Sequence, residues 1–171
     1  NNEYNGSHWS LSLKAKESDA ENYSDSFGSE MIIGIDETGD DNYIPGEDQY
    51  TIPMVSTTYT EMSVINGSLS YSTDIRSSIS DKHVWDITGN VFNAPNADYI
   101  TLTWDFTGNT DYIDMYEYTL YHGENQQVSI DMKDVEFLTS GNYYEYEITS
   151  EDFESIKVEA EIRGCFNGVG N

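Results

Sequence analysis

The sequence predicts an all-β fold: an antiparallel β-sandwich, of the jelly-roll or Ig-like kind, with about ten strands. Three observations point there. Short segments alternate apolar and polar residues, as where Ile156, Val158, Ala160 and Ile162 are set against Lys157, Glu159 and Glu161. Turn residues separate such segments at intervals of roughly 8–15 residues. No long stretch carries the helical period of 3.6 residues. The 171 residues contain no linker and no fixed repeat, so a single sandwich domain is expected over 1–171. Its N-terminal segment is polar and its C-terminal tail, 164–171, is Gly-rich and is read as flexible or partner-bound.

The elements follow in order. Trp9, Leu11 and Leu13 alternate with Ser10, Ser12 and Lys14, the pattern of a half-buried strand. Residues 31–35 form a short apolar run, and 36–49 an acidic loop punctuated by Gly39, Pro45 and Gly46. Extended character resumes over 50–55, where Pro53 suggests an edge or a bulge. Segments 61–65 and 68–75 flank Asn66-Gly67, a strong hairpin signal. Strands are then expected at 83–87 and at 99–106, the latter with Ile100, Leu102 and Trp104 on one face. In 115–121, Tyr116, Tyr118 and Leu120 share a face; in 127–132, Val128, Ile130 and Met132 do. Tyr144, Tyr146 and Ile148 line one side of 143–149, and 156–162 is the last strand. Only 150–153 suggests a helical turn, with Ser150 placed to cap it.

Composition narrows the partners. There are 32 acidic residues against 7 Lys and Arg, a net charge of −25. That field repels nucleic acid and anionic membrane surfaces. No apolar run approaches the ~20 residues that span a bilayer, so no membrane insertion is expected. Aromatics are 13% of the chain, including 14 Tyr, which argues for a folded core rather than an acidic disordered chain. Clean alternation places the charge on an outer shell around an ordinary core. Such a shell suits brine or bound cations, since the Debye length falls from ~10 Å at 0.1 M salt to ~3 Å at 1 M. A saline extracellular setting fits this; an acidic halophilic cytoplasm is the alternative.

The chain opens at Asn1, which fits a mature secreted product and equally a trimmed chain. Asn-x-Ser sequons stand at Asn5, Asn22 and Asn66. They arise readily by chance in a chain rich in Asn and Ser, and become glycan sites if the protein is exported. Cys165 is the only cysteine, so no internal disulfide forms.

Catalytic signals are weak. His8, His83 and His122 have no paired metal-binding spacing and are read as surface or edge-strand side chains. No Gly-x-Ser-x-Gly elbow occurs, and Cys165 has no neighbouring His. Among so many acids, a carboxylate pair at any given spacing is uninformative. No catalytic residue is assigned, and a non-enzyme is expected.

Calcium is the expected ion. It takes six to eight oxygens from carboxylates, Asn and carbonyls held on loops. The acidic loop offers Asp36, Glu37, Asp40, Asp41, Asn42, Glu47 and Asp48, with glycines that let the backbone turn inward. Asp111 with Asp114, and Asp131 with Asp134 and Glu136, are smaller acidic clusters. A solvated acidic loop is the competing reading of the same residues. Glycan stacking on Tyr and Trp is a further possibility, set against the use of Tyr112, Tyr116, Tyr118, Tyr121, Tyr143, Tyr144 and Tyr146 in strand packing.

An ordered set of motifs resembles a secreted β-sandwich module of archaeal, and some bacterial, surface proteins. It comprises the strand Trp9-x-Leu11-x-Leu13, then Phe27-Gly28 and the acidic loop with Pro45-Gly46-Glu47-Asp48. Ser70 to Arg76 (SYSTDIR), Trp85-Asp86 and Leu102-Thr103-Trp104-Asp105 follow. The resemblance implies an exported or cell-surface β-sandwich and supplies no catalytic residues. The expected function is an extracellular structural subunit whose copies assemble into a filament or surface layer through termini and sheet edges, stabilised by calcium. The alternative is a carbohydrate-binding or adhesion module of a larger secreted protein.

Overall fold

The computed structural model describes residues 8–18, 29–36, 49–50, 59–66, 68–77, 80–92 and 98–163. They fold as a nearly all-β unit. Eleven strands join in one continuous sheet: β1 Trp9–Glu17, β2 Ser29–Asp36, β3 Gln49–Tyr50, β4 Tyr59–Asn66, β5 Leu69–Ser77, β6 Lys82–Phe92, β7 Tyr99–Gly108, β8 Tyr116–His122, β9 Val128–Asp131, β10 Tyr144–Thr149 and β11 Ile156–Ile162. Two short helices interrupt them, α1 Thr110–Asp114 and α2 Ser150–Phe153.

The path across the sheet is β10-β7-β1-β2-β5-β4-β6-β11-β8-β9, with β3 on β5. The all-β class matches expectation, as do the strand positions within the described residues; of the extended segment expected over 50–55 only Tyr50 is described, and Pro53 lies outside the described residues. Two separate antiparallel sheets do not match. The ladder is unbroken, and β2 runs parallel to β5, with Ile33 opposite Asp74 and Ile35 opposite Arg76. Parallel neighbours need a long crossover, and the stretch between Asp36 and Leu69, which contains β3 and β4, supplies one.

Strand β5 is the corner. Its first residues pair with β4 (Val64 with Tyr71) and its last with β2. Between them one step along β3 spans two along β5, since Gln49 pairs with Thr73 and Tyr50 with Tyr71. The extra residue, Ser72, is a bulge, and it switches which side chains face inward: Tyr71 is buried, and so is Asp74. Bulges bend and twist strands, which lets one sheet turn over on itself.

The two limbs then face each other. Trp9 on β1 packs edge-on against Tyr118 on β8, ring centroids 4.9 Å apart, and against Trp85 on β6 at 6.0 Å. Phe106 on β7 meets Tyr118 at 4.5 Å. Alternation supplies these contacts: Trp9, Leu11, Leu13 and Ala15 are all buried, as are Tyr116, Tyr118 and Leu120. Each such large apolar side chain contributes about 1.5–3 kcal/mol. Under α2, Phe153 fills the space above Gly89 of β6.

Local details depart from expectation. Thr149, not Ser150, caps α2: its Oγ1 accepts from Asp152 N at 3.1 Å. Helix α1 had no sequence signal, since its single turn is too short to show a period; Asn109 Oδ1 caps it by accepting from Asp111 N at 2.9 Å. The core is less ordinary than the alternation implied. Asp74 is 2% exposed and is held by Arg76, whose Nε and Nη2 donate to Asp74 Oδ2 at 3.2 and 3.1 Å. The same guanidinium donates to the Val84 carbonyl and lies over the Trp85 ring, 5.1 Å from its centroid. His83 and His122 are also buried, on strands β6 and β8 that have neighbours on both sides, against the reading of the histidines as surface or edge-strand side chains. Strand alternation turns both toward the interior, in phase with Trp85 and Leu120.

Candidate functional site

Of the seven residues proposed as calcium ligands, Asp36 alone is described. It ends β2 opposite Ser77 and is buried. Glu37, Asp40, Asp41, Asn42, Glu47 and Asp48 lie outside the described residues, as do Asn5, Asn22, Cys165 and both terminal segments. Asn66 closes β4 opposite Leu69 at the predicted hairpin, half-buried. Among the described residues no three His, Cys, Asp or Glu side chains converge as a metal site. The smaller acidic clusters are engaged locally. Asp114 accepts from Lys133 Nζ at 2.7 Å, and this bond and its charge hold the carboxyl below its ordinary range. Asp131 accepts from Lys133 N, and Asp134 from Glu136 N, each at 2.9 Å.

Two regions concentrate chemistry instead. The first is the seam where the curled sheet ends, with β7 and β10 on one side and β8 and β9 on the other. No backbone ladder crosses it among the described residues; side chains do. Trp104 Nε1 donates to the Met132 carbonyl at 2.9 Å. His122, on β8 and 6% exposed, has Nδ1 2.8 Å from Asp152 Oδ2 of α2 and Nε2 2.8 Å from the Tyr146 hydroxyl of β10. In the tautomer that carries its hydrogen on Nδ1, the ring donates to the carboxylate and accepts the Tyr146 O–H at Nε2. Phe137 packs edge-on against the Tyr146 ring at 5.2 Å. Burial, and secondarily the Asp152 charge, raise the Tyr146 phenol above its ordinary value of 10.0, so it stays protonated at neutral pH. Lodged against Phe137 and bonded to His122, the phenol bridges the two limbs.

Beside Asp152 opens a cleft of about 910 Å³ with Glu124 on one wall and Glu151 and Glu154 on the other. Its first wall is a tight turn with positive φ at Gly123 (88°), Asn125 (56°) and Gln126 (54°).

The second region is the outer face of β1, β7 and β10, where a groove of about 300 Å³ lies. Strand β1 contributes Ser12, Lys14 and Lys16, and β7 contributes Thr103 and Asp105. Glu145 of β10 and Tyr143, one residue before it, form the far side. Pairing aligns Glu30, Lys14, Thr103 and Glu145 in one row across four strands. Lys14 Nζ is 3.5 Å from Glu30 Oε2.

Neither region was assembled from sequence. His122, Asp152 and Tyr146 come from three separate elements, and nothing in their spacing joins them. The paired lysines Lys14 and Lys16 on one strand face were the visible signal for the groove. No protein-family model matches the chain, and comparison with curated proteins and with solved structures found no significant match.

Proposed function

We propose that the chain is a non-enzymatic structural subunit of the extracellular cell surface. Its copies associate through sheet edges and terminal segments into a filament or a surface layer. The observation that carries this reading is the open seam: the sheet curls without closing, and among the described residues β9 and β10 are its two terminal strands. An unclosed edge is a template for strand addition by a second copy. Exposed apolar side chains lie along that rim, Val128 on β9 and Val135 (77% exposed) and Leu138 between β9 and β10. Apolar side chains at an edge suit a surface covered on assembly.

In this reading the two limbs over one core serve as the sandwich of secreted archaeal and bacterial surface modules. The net charge of −25 favours saline surroundings, and calcium bridges acidic segments such as 36–48, within or between copies. Among the described residues no helix is long and apolar enough to cross a membrane.

Light scattering and sedimentation across protein concentration, with added calcium and with chelator, test the proposal. The expected result is growth with concentration that calcium promotes and Val128→Lys suppresses. A single monomeric size at every concentration, salt and calcium level overturns it.

A further inference from the structure

We infer that the groove across the outer face of β1, β7 and β10 binds a neutral carbohydrate segment, independently of assembly at the seam. Its volume, about 300 Å³, is at the lower end of ligand clefts (about 300–1,000 Å³). Its lining differs from the rest of this acidic surface. Lys14 and Lys16, two of only 7 Lys and Arg in the chain, stand beside Asp105 and Glu145, so opposite charges balance locally. Thr103 stands between Lys14 and Glu145 in the cross-strand row, and the Ser12 hydroxyl, opposite Asp105, donates to Glu30 Oε2 at 3.3 Å. Glu30, paired with Lys14, adds a third carboxylate at the margin, so the strip offers donors and acceptors side by side with only a small net charge. That disfavours a polyanion or a polycation and suits a ligand dense in hydroxyl groups.

The groove also holds an aromatic ring. Tyr143 is 40% exposed, and its ring is set rather than free. A Cβ at Gly141 would come within 2.6 Å of Tyr143 Cε1, so the ring lies directly against the glycine backbone. The turn beneath is fixed by Thr139, which donates to the Tyr143 carbonyl from N at 2.8 Å and from Oγ1 at 2.9 Å. Asn142 adopts φ 65° there. A rigid exposed ring above a strip of hydroxyls and charges is a stacking platform for the C–H face of a sugar, with its hydroxyls bound by the strip. Preorganisation lowers the ordering cost of such a contact.

The test titrates dilute monomer with hexamers of neutral gluco-, xylo-, manno- and chito-oligosaccharides, and with oligogalacturonate as a charged control. Calorimetry reads affinity and amide chemical shifts read location. At least one neutral oligomer is expected to bind, shifting the amides of β1, β7 and β10. Tyr143→Ala is expected to weaken it about tenfold. Gly141→Ala, which displaces the ring without removing it, is expected to weaken it several-fold while the thermal midpoint stays close to the parent's. No neutral oligomer bound at ~10 mM, shifts confined to another face, equal affinity in Tyr143→Ala, or binding of oligogalacturonate alone each overturns the inference. Dilute monomer keeps this result separate from the assembly measurement.

Discussion

His122 and Tyr146 meet across the gap that the sheet leaves open: imidazole Nε2 and phenol oxygen lie 2.8 Å apart, the phenol on the terminal strand β10 and the imidazole on β8, next to the opposite terminal strand. Asp152 fixes the other ring nitrogen at the same distance. Three elements thus share one buried imidazole, and closure of the molecule at this point depends on side chains instead of main-chain pairing.

Removing that imidazole strands two polar groups. His122→Phe fills the space and is expected to cost about 2–3 kcal/mol, and Tyr146→Phe about 1 kcal/mol, in urea unfolding. The double variant should cost less than the sum, because both changes delete the same bond. Strict additivity would show that the contact contributes nothing.

The Asp74–Arg76 pair makes an asymmetric prediction. Both side chains are largely buried, and Arg76 also holds the Val84 carbonyl. Deleting one partner leaves an uncompensated charge inside, so Asp74→Asn or Arg76→Met should each cost about 3–5 kcal/mol. Asp74→Leu combined with Arg76→Met should recover much of that loss, as read from the denaturant midpoint.

Gly89 and Phe153 form a steric pair. A Cβ on Gly89 would sit 2.4 Å from Phe153 Cε2, and the ring is enclosed under α2 with nowhere to move. Gly89→Ala should destabilise by about 1–3 kcal/mol. Phe153→Leu, which removes the obstructing ring atoms, should make the added methyl far less costly. A Gly89→Ala penalty unchanged in that background would locate the strain elsewhere.

Alkaline stability follows from three phenols. Burial raises Tyr116, Tyr118 and Tyr146 above 10.0 in the fold. The folded state therefore binds protons more tightly than the unfolded chain does. The associated stability is complete below about pH 10 and declines as pH rises from there toward the folded values. Urea midpoints should fall steeply between about pH 10 and pH 12. Ultraviolet titration should show some of the 14 Tyr ionising only as the protein unfolds.

Strand positions were legible because a period of two leaves a trace in every segment with one buried face. Tyr116, Tyr118 and Leu120, or Ile156, Val158 and Ala160, announce both the strand and its inner side. The same logic failed at β5, where the bulge at Ser72 shifts the phase and turns Asp74 inward. It failed for Val128, assigned to an apolar face yet 44% exposed, because β9 is a terminal strand, where that residue is only partly covered. Tyr143 was one tyrosine among many until the turn at Gly141 set it apart.

Local alternation, acidic composition and the Asn66-Gly67 turn thus fixed the β class, the hairpin and the side of each strand that carries the charge. Such features depend on neighbours within a few residues. Only the folded chain decided that one sheet curls over instead of two stacking, that His122 closes its seam, and that Lys14, Asp105 and Tyr143 share a groove. Those outcomes depend on which strands lie side by side, a long-range choice made by total burial and not encoded in any single segment.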